Sequence, residues 1–375
     1  MNIHCMGLEV DLQGWAYWPG RDDLSVEFTR LVGAAQEGGA TVAECFATAS
    51  RIDFSDDHSW YREWKKTADA SHQRGNDARG RGNLLTARSN WLRAINYYQA
   101  AVSPLDLADK NHQAAIASMR ECAGHYLQHS KPSGEVVSIP WPGGYPLEGY
   151  FLPAPAAGSV RAPAIICMGE PGQRKEEYLF KVARYARARG ITLLAVDLFG
   201  SGPDARFEEE AVGRSDLEMT IGHIMDYLVA RDDVDEHRIA ILADGWGSSF
   251  VARGIAFDDR FVAAVCDGGI WDLHERAFLR DRVAHRDAAI LGQARLSRVA
   301  RNIKCPVLIS TGERGWLKAE RVRELYDELQ ACGRDVTLKI FTCEETAAAQ
   351  GHADNPTLAN EYIFDWIGAK LGINA

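Results

Sequence analysis

The sequence predicts an α/β protein with a doubly wound, mostly parallel sheet and a helical domain before it. Apolar residues recur at helical spacing through residues 22–130. The period changes to alternation near Lys131, and short apolar strands then alternate with amphipathic helices to the end of the chain. Such alternation is typical of a parallel sheet covered by helices on both faces. We therefore expect two domains, residues 1–130 and residues 131–375.

The helical region reads as a series of amphipathic segments rich in aromatic residues. Its clearest predicted helices are residues 26–35, 41–49, 59–78 and 87–101. Aromatic side chains at helical spacing either form a core or wall a substrate pocket, and the sequence leaves both interpretations open. The residues concerned are Trp60, Tyr61, Trp64, Trp91, Tyr97 and Tyr98.

The second region begins with an edge hairpin and continues as strand and helix pairs. The hairpin strands are predicted at residues 136–139 and 147–152. The later strands are predicted at 164–167, 192–197, 238–242, 263–266, 307–310 and 337–341. Their helical partners are predicted at 178–189, 216–230, 248–257, 321–331 and 358–371. In such sheets ligands bind beyond the carboxyl ends of the strands, so we expect the site there.

Residues 238–253 form the stretch around which the second region is organised. They read as a buried strand, a tight glycine turn and an amphipathic helix, which is the layout of the nucleophile elbow of an α/β-hydrolase. The elbow pattern G-x-S-x-G places a serine at the apex of the turn. Here the five positions run from Ala243 to Gly247, and the apex residue is Gly245. The sequence therefore predicts an α/β-hydrolase fold without the usual nucleophile.

Composition excludes several classes of partner. The formal net charge of −10 argues against nucleic acid and anionic membranes, which attract basic surfaces. No apolar run approaches the ~18 residues of a membrane span, and the N-terminus lacks a signal-peptide pattern.

The eight cysteines form no C-x-x-C pair, which predicts reduced thiols in a cytoplasm, with Cys167 and Cys266 as small core residues. The chain has no P-loop, dinucleotide fingerprint or metal-spaced cluster, so we expect no cofactor and no metal.

Several motifs resemble those of the FrsA-like α/β-hydrolases, a family that includes 2,6-dihydroxypseudooxynicotine hydrolase and fungal polyketide-shortening hydrolases. Residues 169–177 are close to a family motif ending in K-E-E, and residues 196–202 are similar to V-D-x-x-G-x-G. Residues 245–260 and 266–272 also fit, the latter on the family's G-G-x-x-D. The resemblance covers most of the chain, through Trp366.

The resemblance implies a helical cap over a hydrolase core, with a Ser-Asp-His triad that cleaves esters or carbon–carbon bonds beside a carbonyl. This chain departs from the family at all three positions, which are occupied by Gly245, Gly315 and Gln350. Removing a whole triad costs about 2 × 10⁶ in kcat in subtilisin, the reference case. Ordinary serine-hydrolase activity is therefore expected to be negligible.

The turn keeps other groups that could carry chemistry. Without a side chain, Gly245 still lets the amide of Trp246 act as an oxyanion donor. Asp244 is the foremost candidate carboxylate. Three roles are open for it: a nucleophile, a general base or substrate ligand, and a structural acid of the loop. Ser248 begins a helix, where a cap is the more ordinary role, although it also lies at the predicted oxyanion pocket.

Two further candidates lie on other loops. Glu170 follows the first long parallel strand and is either an acid with a raised pKa or a surface acid paired with Arg174 or Lys175. His352 lies two residues beyond the lost histidine position and is either a relocated base or a loop histidine bonded to Asp354. Weaker candidates at the pocket are Pro171, Asp267, Asp272, His274 and Glu313.

Together these features predict a cytoplasmic, cofactor-independent hydrolase or lyase with a triad-less site. Its expected substrate is a small aromatic or polyketide-like carbonyl compound, a class that comes from the resemblance alone. Asp244, His352 and Glu170 are the candidate acid and base groups. The alternative is a catalytically inactive homologue that binds a ligand or a partner protein. The predicted helical cap could also offer a homodimer face.

Overall fold

The computed structural model describes residues 16–141, 146–155, 161–169, 173–197, 217–245, 247–270 and 300–373. These residues pack as two compact units. The first, here the helical unit, comprises the chain up to Val136 with Glu176–Arg184 and Ala353–Thr357. The second, here the sheet unit, comprises Val137–Lys175, Tyr185–His352 and the chain from Leu358. The predicted division into domains at residue 130 stays a prediction.

Five helices dominate the helical unit. They are α1 (Asp22–Gly33), α2 (Val42–Ala49), α3 (Asp57–Gly80), α4 (Leu84–Val102) and α5 (Lys110–Gln128). Side-chain caps mark where three of them begin. Thr41 accepts the amide of Glu44, Asp56 accepts that of His58, and Asp109 accepts that of Asn111. Each cap satisfies an amide that has no partner within its own helix, so the local sequence fixes where these helices begin.

The aromatic residues of α3 and α4 form the core of the helical unit. Five of the six singled out in the sequence are buried, and Tyr61 is half-buried. The indole of Trp60 donates to the carbonyl of Ala100 at 2.7 Å, and Trp91 stacks on His129 with the ring centroids 5.5 Å apart. Their size and burial make them a main source of the hydrophobic stabilisation of this unit.

The described residues contain eight strands, which form one sheet. They are β1 (Glu135–Ile139), β2 (Leu147–Leu152), β3 (Ala162–Met168), β4 (Thr192–Val196), β5 (Val234–Asp244), β6 (Ala263–Asp267), β7 (Val307–Gly312) and β8 (Val336–Phe341). Their order across the sheet is β1-β2-β4-β3-β5-β6-β7-β8. Strand β2 runs antiparallel to β4, and the pairings from β4 to β8 are parallel. The predicted doubly wound, mostly parallel sheet is confirmed.

The remaining described helices are α6 (Glu177–Lys181), α7 (Ala183–Ala188), α8 (Leu217–Val229), α9 (Gly247–Ile255), α10 (Ala319–Ala331) and α11 (Pro356–Lys370). One prediction needs correction, because the single helix expected over residues 178–189 is interrupted. Val182 has backbone angles of −127° and −18°, which leave the helical region and separate α6 from α7. Among the described helices, none is long and apolar enough to cross a membrane.

A close contact between α3 and α4 yields a stability prediction. A Cβ on Gly75 would lie 2.6 Å from ring atoms of Trp91, so the change Gly75→Ala forces the indole to move. We expect a loss of about 1–3 kcal/mol in the free energy of unfolding, measured by urea titration. Gly124→Ala on α5 is the matched control, since nothing lies within 4 Å of its Cβ. That variant should gain about 0.5–1 kcal/mol from helix propensity, and equal effects at both sites would contradict the packing argument.

The environment of His125 yields a prediction about pH. Burial, and then the charge of Arg79, lower the pKa of His125 below its usual value. The unfolded chain therefore takes up this proton near pH 6.5, before the folded protein does. The stability contributed by neutral His125 is complete above that pH and is lost as the pH falls below it. We expect the urea midpoint of His125→Gln to fall less between pH 7 and 5 than that of wild type, whereas His237→Gln, at an 87% exposed side chain, should behave as wild type.

Candidate functional site

The turn after β5 has the geometry expected of an elbow. Strand β5 ends at Asp244, Gly245 has a φ of +50°, and α9 begins at Gly247. A φ in the left-handed region is easily adopted by glycine and is strained for most other residues. The amide of Gly245 donates to the carbonyl of Asp267 at 2.6 Å, which ties the turn to the end of β6.

Three polar residues form a row at the carboxyl ends of neighbouring strands. Asp244 on β5 is in register with Asp267 on β6, which is in register with Ser310 on β7. Register partners on parallel strands project from the same face, on strands about 4.8 Å apart. Asp244 is 6% exposed and Asp267 is 4% exposed, so two carboxyl groups are buried side by side at this edge.

Asp267 is the hydrogen-bonding centre of this edge. Its Oδ1 accepts from the hydroxyl of Ser310 at 2.9 Å and lies 2.8 Å from Nε2 of His352. Its backbone carbonyl accepts from Gly245 and from the hydroxyl of Ser248, the latter at 3.1 Å. A residue considered only a weak candidate in the sequence thus brings β5, β6, β7 and the C-terminal loop together.

His352 is held at both ring nitrogens. Its Nδ1 lies 2.6 Å from the carbonyl oxygen of Ala347, while Nε2 faces Asp267. The ring of Phe341 packs edge-on against it at 4.9 Å. His352 has a φ of +56° and follows Gly351, with a φ of +59°, so this loop reverses through the left-handed region. The imidazole is 3% exposed and fixed in place.

Asp244 is oriented by a residue that the sequence did not single out. The side-chain amide of Gln173 donates to Oδ2 of Asp244 at 3.0 Å. The side chain of Gln173 also lies over Gly169, where a Cβ would be 2.4 Å from its Oε1. Gln173 lies within the motif ending in K-E-E, and that motif was the only sequence signal that could have indicated it.

The lysine of the same motif anchors the segment that carries Gln173. The side chain of Lys175 is fully buried, and its Nζ lies 2.8 Å from Oδ2 of Asp197 and 2.6 Å from Oε1 of Glu148. Its amide donates to Asp197 at 2.7 Å, and its Nζ lies 4.9 Å from the centre of the Tyr150 ring. A buried ammonium needs such partners, so Lys175 ties the chain after β3 to β2 and to the end of β4.

Gly315 and Gln350, the positions that the resemblance matches to the family's acid and histidine, are adjacent. Oε1 of Gln350 accepts the amide of Trp316 at 2.8 Å, and a Cβ on Gly315 would lie 3.5 Å from the same oxygen. The amide of Arg314 donates to the carbonyl of Ala348 at 2.9 Å. Gln350 therefore joins the C-terminal loop to the loop after β7 by a hydrogen bond.

The other predicted site residues fall in different places. Glu313 is exposed and accepts the amide of Cys343 at 2.8 Å, a bond that lowers the pKa of its carboxyl group. Its side chain is therefore at the surface, whereas those of Asp267 and His352 are buried. Ser248 is buried, and its hydroxyl is placed to donate to backbone carbonyls of Ala243 and Asp267, not to cap α9.

Five of the candidate residues lie outside the described residues. They are Glu170, Pro171, Trp246, Asp272 and His274. The predicted core cysteines, Cys167 on β3 and Cys266 on β6, are buried, and burial raises the pKa of the Cys266 thiol. Within the described part of the chain, no group of three or more His, Cys, Asp or Glu side chains is arranged to hold a metal ion.

Comparison with solved structures identifies the architecture. The crystal structure of 2,6-dihydroxy-pseudo-oxynicotine hydrolase matches with a TM-score of 0.72 at 19% identity, covering 90% of this chain and 95% of that one. The chain has an α/β-hydrolase fold. Wild-type AbyA5 matches with a TM-score of 0.67 at 15% identity, over 94% of this chain and 95% of that one. The fold predicted from the elbow and the strand pattern is confirmed.

Sequence relatives of this α/β-hydrolase-fold chain are fungal hydrolases. It is 28% identical to the hydrolyase poxO of Penicillium oxalicum over 274 residues, which are 70% of this chain and 63% of that protein. It is 29% identical to the 20-hydroxy-prefusarin hydrolase FUS2 of Gibberella moniliformis over 265 residues, 68% and 62% of the two chains. The chain thus spans about three fifths of the length of these relatives. No protein-family model matches it. The predicted resemblance is confirmed.

The close packing of the loop after β7 yields a prediction. A Cβ on Gly312 would lie 2.2 Å from the carbonyl oxygen of Ala348, a backbone atom that no rotamer change can move away. We expect Gly312→Ala to lower the free energy of unfolding by about 1–3 kcal/mol, measured by urea titration. The control is Gly368→Ala on α11, where the nearest atom to a Cβ is 3.9 Å away. Equal stability of the two variants would contradict this account of the loop.

Proposed function

We propose that this chain is a cofactor-independent enzyme of the α/β-hydrolase fold that acts on a small aromatic or polyketide-like carbonyl compound without an acyl-serine step. The observation that supports this most is the buried carboxyl group of Asp244. It lies directly before the glycine turn, is oriented by Gln173, and is in register with Asp267, the partner of His352. Such an arrangement suits acid–base chemistry.

The substrate class rests on the resemblance and on the names of the relatives. FUS2 is named for 20-hydroxy-prefusarin, and the structural neighbour for 2,6-dihydroxy-pseudo-oxynicotine. Hydrolase activity is likewise the activity for which these proteins are named. For this chain, substrate and activity are proposals, because about two fifths of each sequence relative has no counterpart in the match.

In the proposed chemistry Asp244 moves the proton. As a base it removes a proton from a water that adds to the substrate carbonyl, or from a carbon beside that carbonyl in an elimination or cyclisation. The amide of Gln173 keeps the carboxylate oriented during this transfer. Gly245 has no hydroxyl group, so no ester to this residue forms. Direct attack by Asp244 on carbon remains an alternative role, and Glu170 and His352 are the further acid–base candidates.

A second proposal is an inactive homologue that binds a ligand or a partner protein. It is supported by the state of the groups that a triad would need. Gly245, Gly315 and Gln350 cannot act as a nucleophile, an acid and a base, and His352 has both ring nitrogens in hydrogen bonds. A protein selected only for binding would tolerate the loss of the Asp244 charge.

The variant Asp244→Asn separates the two proposals. Because a general acid or base contributes about 10²–10⁴ to the rate, we expect Asp244→Asn to lower kcat/KM by at least about 10². The assay is turnover of a panel of aryl esters, β-diketones and hydroxyaryl ketones. The control is Asp232→Asn, at a fully exposed carboxylate of the sheet unit, which should match wild type. Gly245→Ser should add no turnover, because Gln350 cannot activate the new serine.

Two results would contradict the enzymatic proposal. One is full activity of Asp244→Asn, together with a serine acyl-enzyme detected by mass spectrometry during turnover. The other is a wild-type protein that turns over no compound of the panel but still binds the carbonyl compounds, as measured by calorimetry. The second result would favour the ligand-binding protein.

A further inference from the structure

We propose that His352 is held as an imidazolium ion paired with the carboxylate of Asp267, and that this imidazolium is a fixed countercharge to Asp267 that leaves Asp244 as the proton-exchanging carboxyl group of the edge. His352 is then a positioning residue and not a base. The protonation states stand on the geometry alone, whereas their catalytic consequence rests on the proposed function.

The first step concerns Nδ1 of His352. It lies 2.6 Å from the carbonyl oxygen of Ala347, and a backbone carbonyl can only accept a hydrogen bond. Nδ1 therefore carries a proton. The left-handed backbone at Gly351 and His352 holds the ring in this orientation, so the bond to Ala347 is part of the folded loop.

The second step concerns Nε2. It lies 2.8 Å from Oδ1 of Asp267, and two atoms that only accept cannot approach so closely without a proton between them. The hydroxyl of Ser310 donates to the same carboxylate oxygen at 2.9 Å, which favours the charged carboxylate. The carbonyl of Ala347 likewise favours the charged ring. Ordinary acidities also place the shared proton on imidazole, so both ring nitrogens are protonated.

The third step concerns Asp244. Two neighbouring buried carboxylates repel each other, which drives one of them to take up a proton. The imidazolium cancels the charge of Asp267, so Asp244 has a neutral pair beside it on β6 and not a second anion. Gln173 donates to Asp244, Ser310 donates to Asp267, and burial raises the pKa of the Cys266 thiol and keeps it neutral. Removing the imidazolium would therefore leave Asp244 beside the uncompensated charge of Asp267.

Nitrogen NMR on protein labelled with ¹⁵N-histidine tests the pair directly. The signals of His352 are those that disappear in both His352→Gln and His352→Asn. We expect two protonated ring nitrogens from pH 6 to 9 in wild type, and a neutral ring with one lone-pair nitrogen at pH 8 in Asp267→Asn. His237→Gln removes an exposed histidine of the same unit and should leave the His352 signals unchanged. A lone-pair nitrogen on wild-type His352 at pH 7–9 would overturn the proposal.

Carbon NMR on protein labelled at the aspartate carboxyl groups tests the countercharge. The Asp244 signal is the one lost in Asp244→Asn. Removing the imidazolium should move its titration midpoint upward by about one to two pH units in His352→Gln. The double variant Asp267→Asn/His352→Gln should bring the midpoint back toward wild type, because it removes the neighbouring anion as well. His352→Asn is a second variant without the imidazole, and asparagine tolerates the left-handed backbone better than glutamine does.

These two NMR readouts need no turnover, so they can fail or succeed independently of the proposed function. An unchanged Asp244 midpoint in both His352 variants, each shown to be folded by its near-ultraviolet circular dichroism, would overturn the countercharge. Two protonated nitrogens and a shifted midpoint in a protein without activity would leave the inference standing and remove the enzymatic proposal.

Discussion

The hydrogen bonds of Asp267 are the constraint on which the rest of this edge depends. Its carbonyl holds the turn at Gly245 and the first turn of α9, and its carboxylate holds β7 through Ser310 and the C-terminal loop through His352. A buried carboxylate without such donors would cost several kcal/mol, so each of these segments satisfies a group that the sheet has already buried. The positions of the elbow and of the last loop are therefore coupled through one residue.

Close backbone packing is the second constraint, and it explains why glycines lie at this edge. A Cβ on Gly268 would lie 3.0 Å from the Cα of Gly245, and Gly268 itself has a φ of +101°. A Cβ on Gly315 would lie 3.0 Å from the carbonyl oxygen of Gly312. Any larger side chain at these positions must displace backbone atoms. The absence of a side chain at Gly268 and Gly315 is thus built into loops that pack tightly without one.

The fold was predictable because its signals are local, whereas the site depends on contacts between distant residues. Strand periodicity and the glycine turn predicted every strand of the sheet and placed Asp244 at its carboxyl end. The pairing of Asp267 with His352 joins residues 85 positions apart and depends on left-handed angles at Gly351 and His352, which no spacing rule encodes. Glu313 was named as a weaker candidate at the pocket, yet its side chain is bound to the amide of Cys343 at the surface. Gln173 was overlooked because an amide beside a K-E-E motif has no chemical signature of its own.

An acid and a histidine have a different role when the apex of the elbow carries no hydroxyl group. In a triad the histidine uses one ring nitrogen for its acid and keeps the other for the serine hydroxyl. Here Nδ1 is bound to Ala347, Nε2 is bound to Asp267, and the elbow offers Gly245. Under our proposal the pair therefore transfers no proton and carries no net charge. In that proposal, a neutral pair at the end of β6 lets the neighbouring carboxylate at the end of β5 remain charged while buried. In the proposed function, the acid–base role therefore falls to Asp244, one residue before the apex.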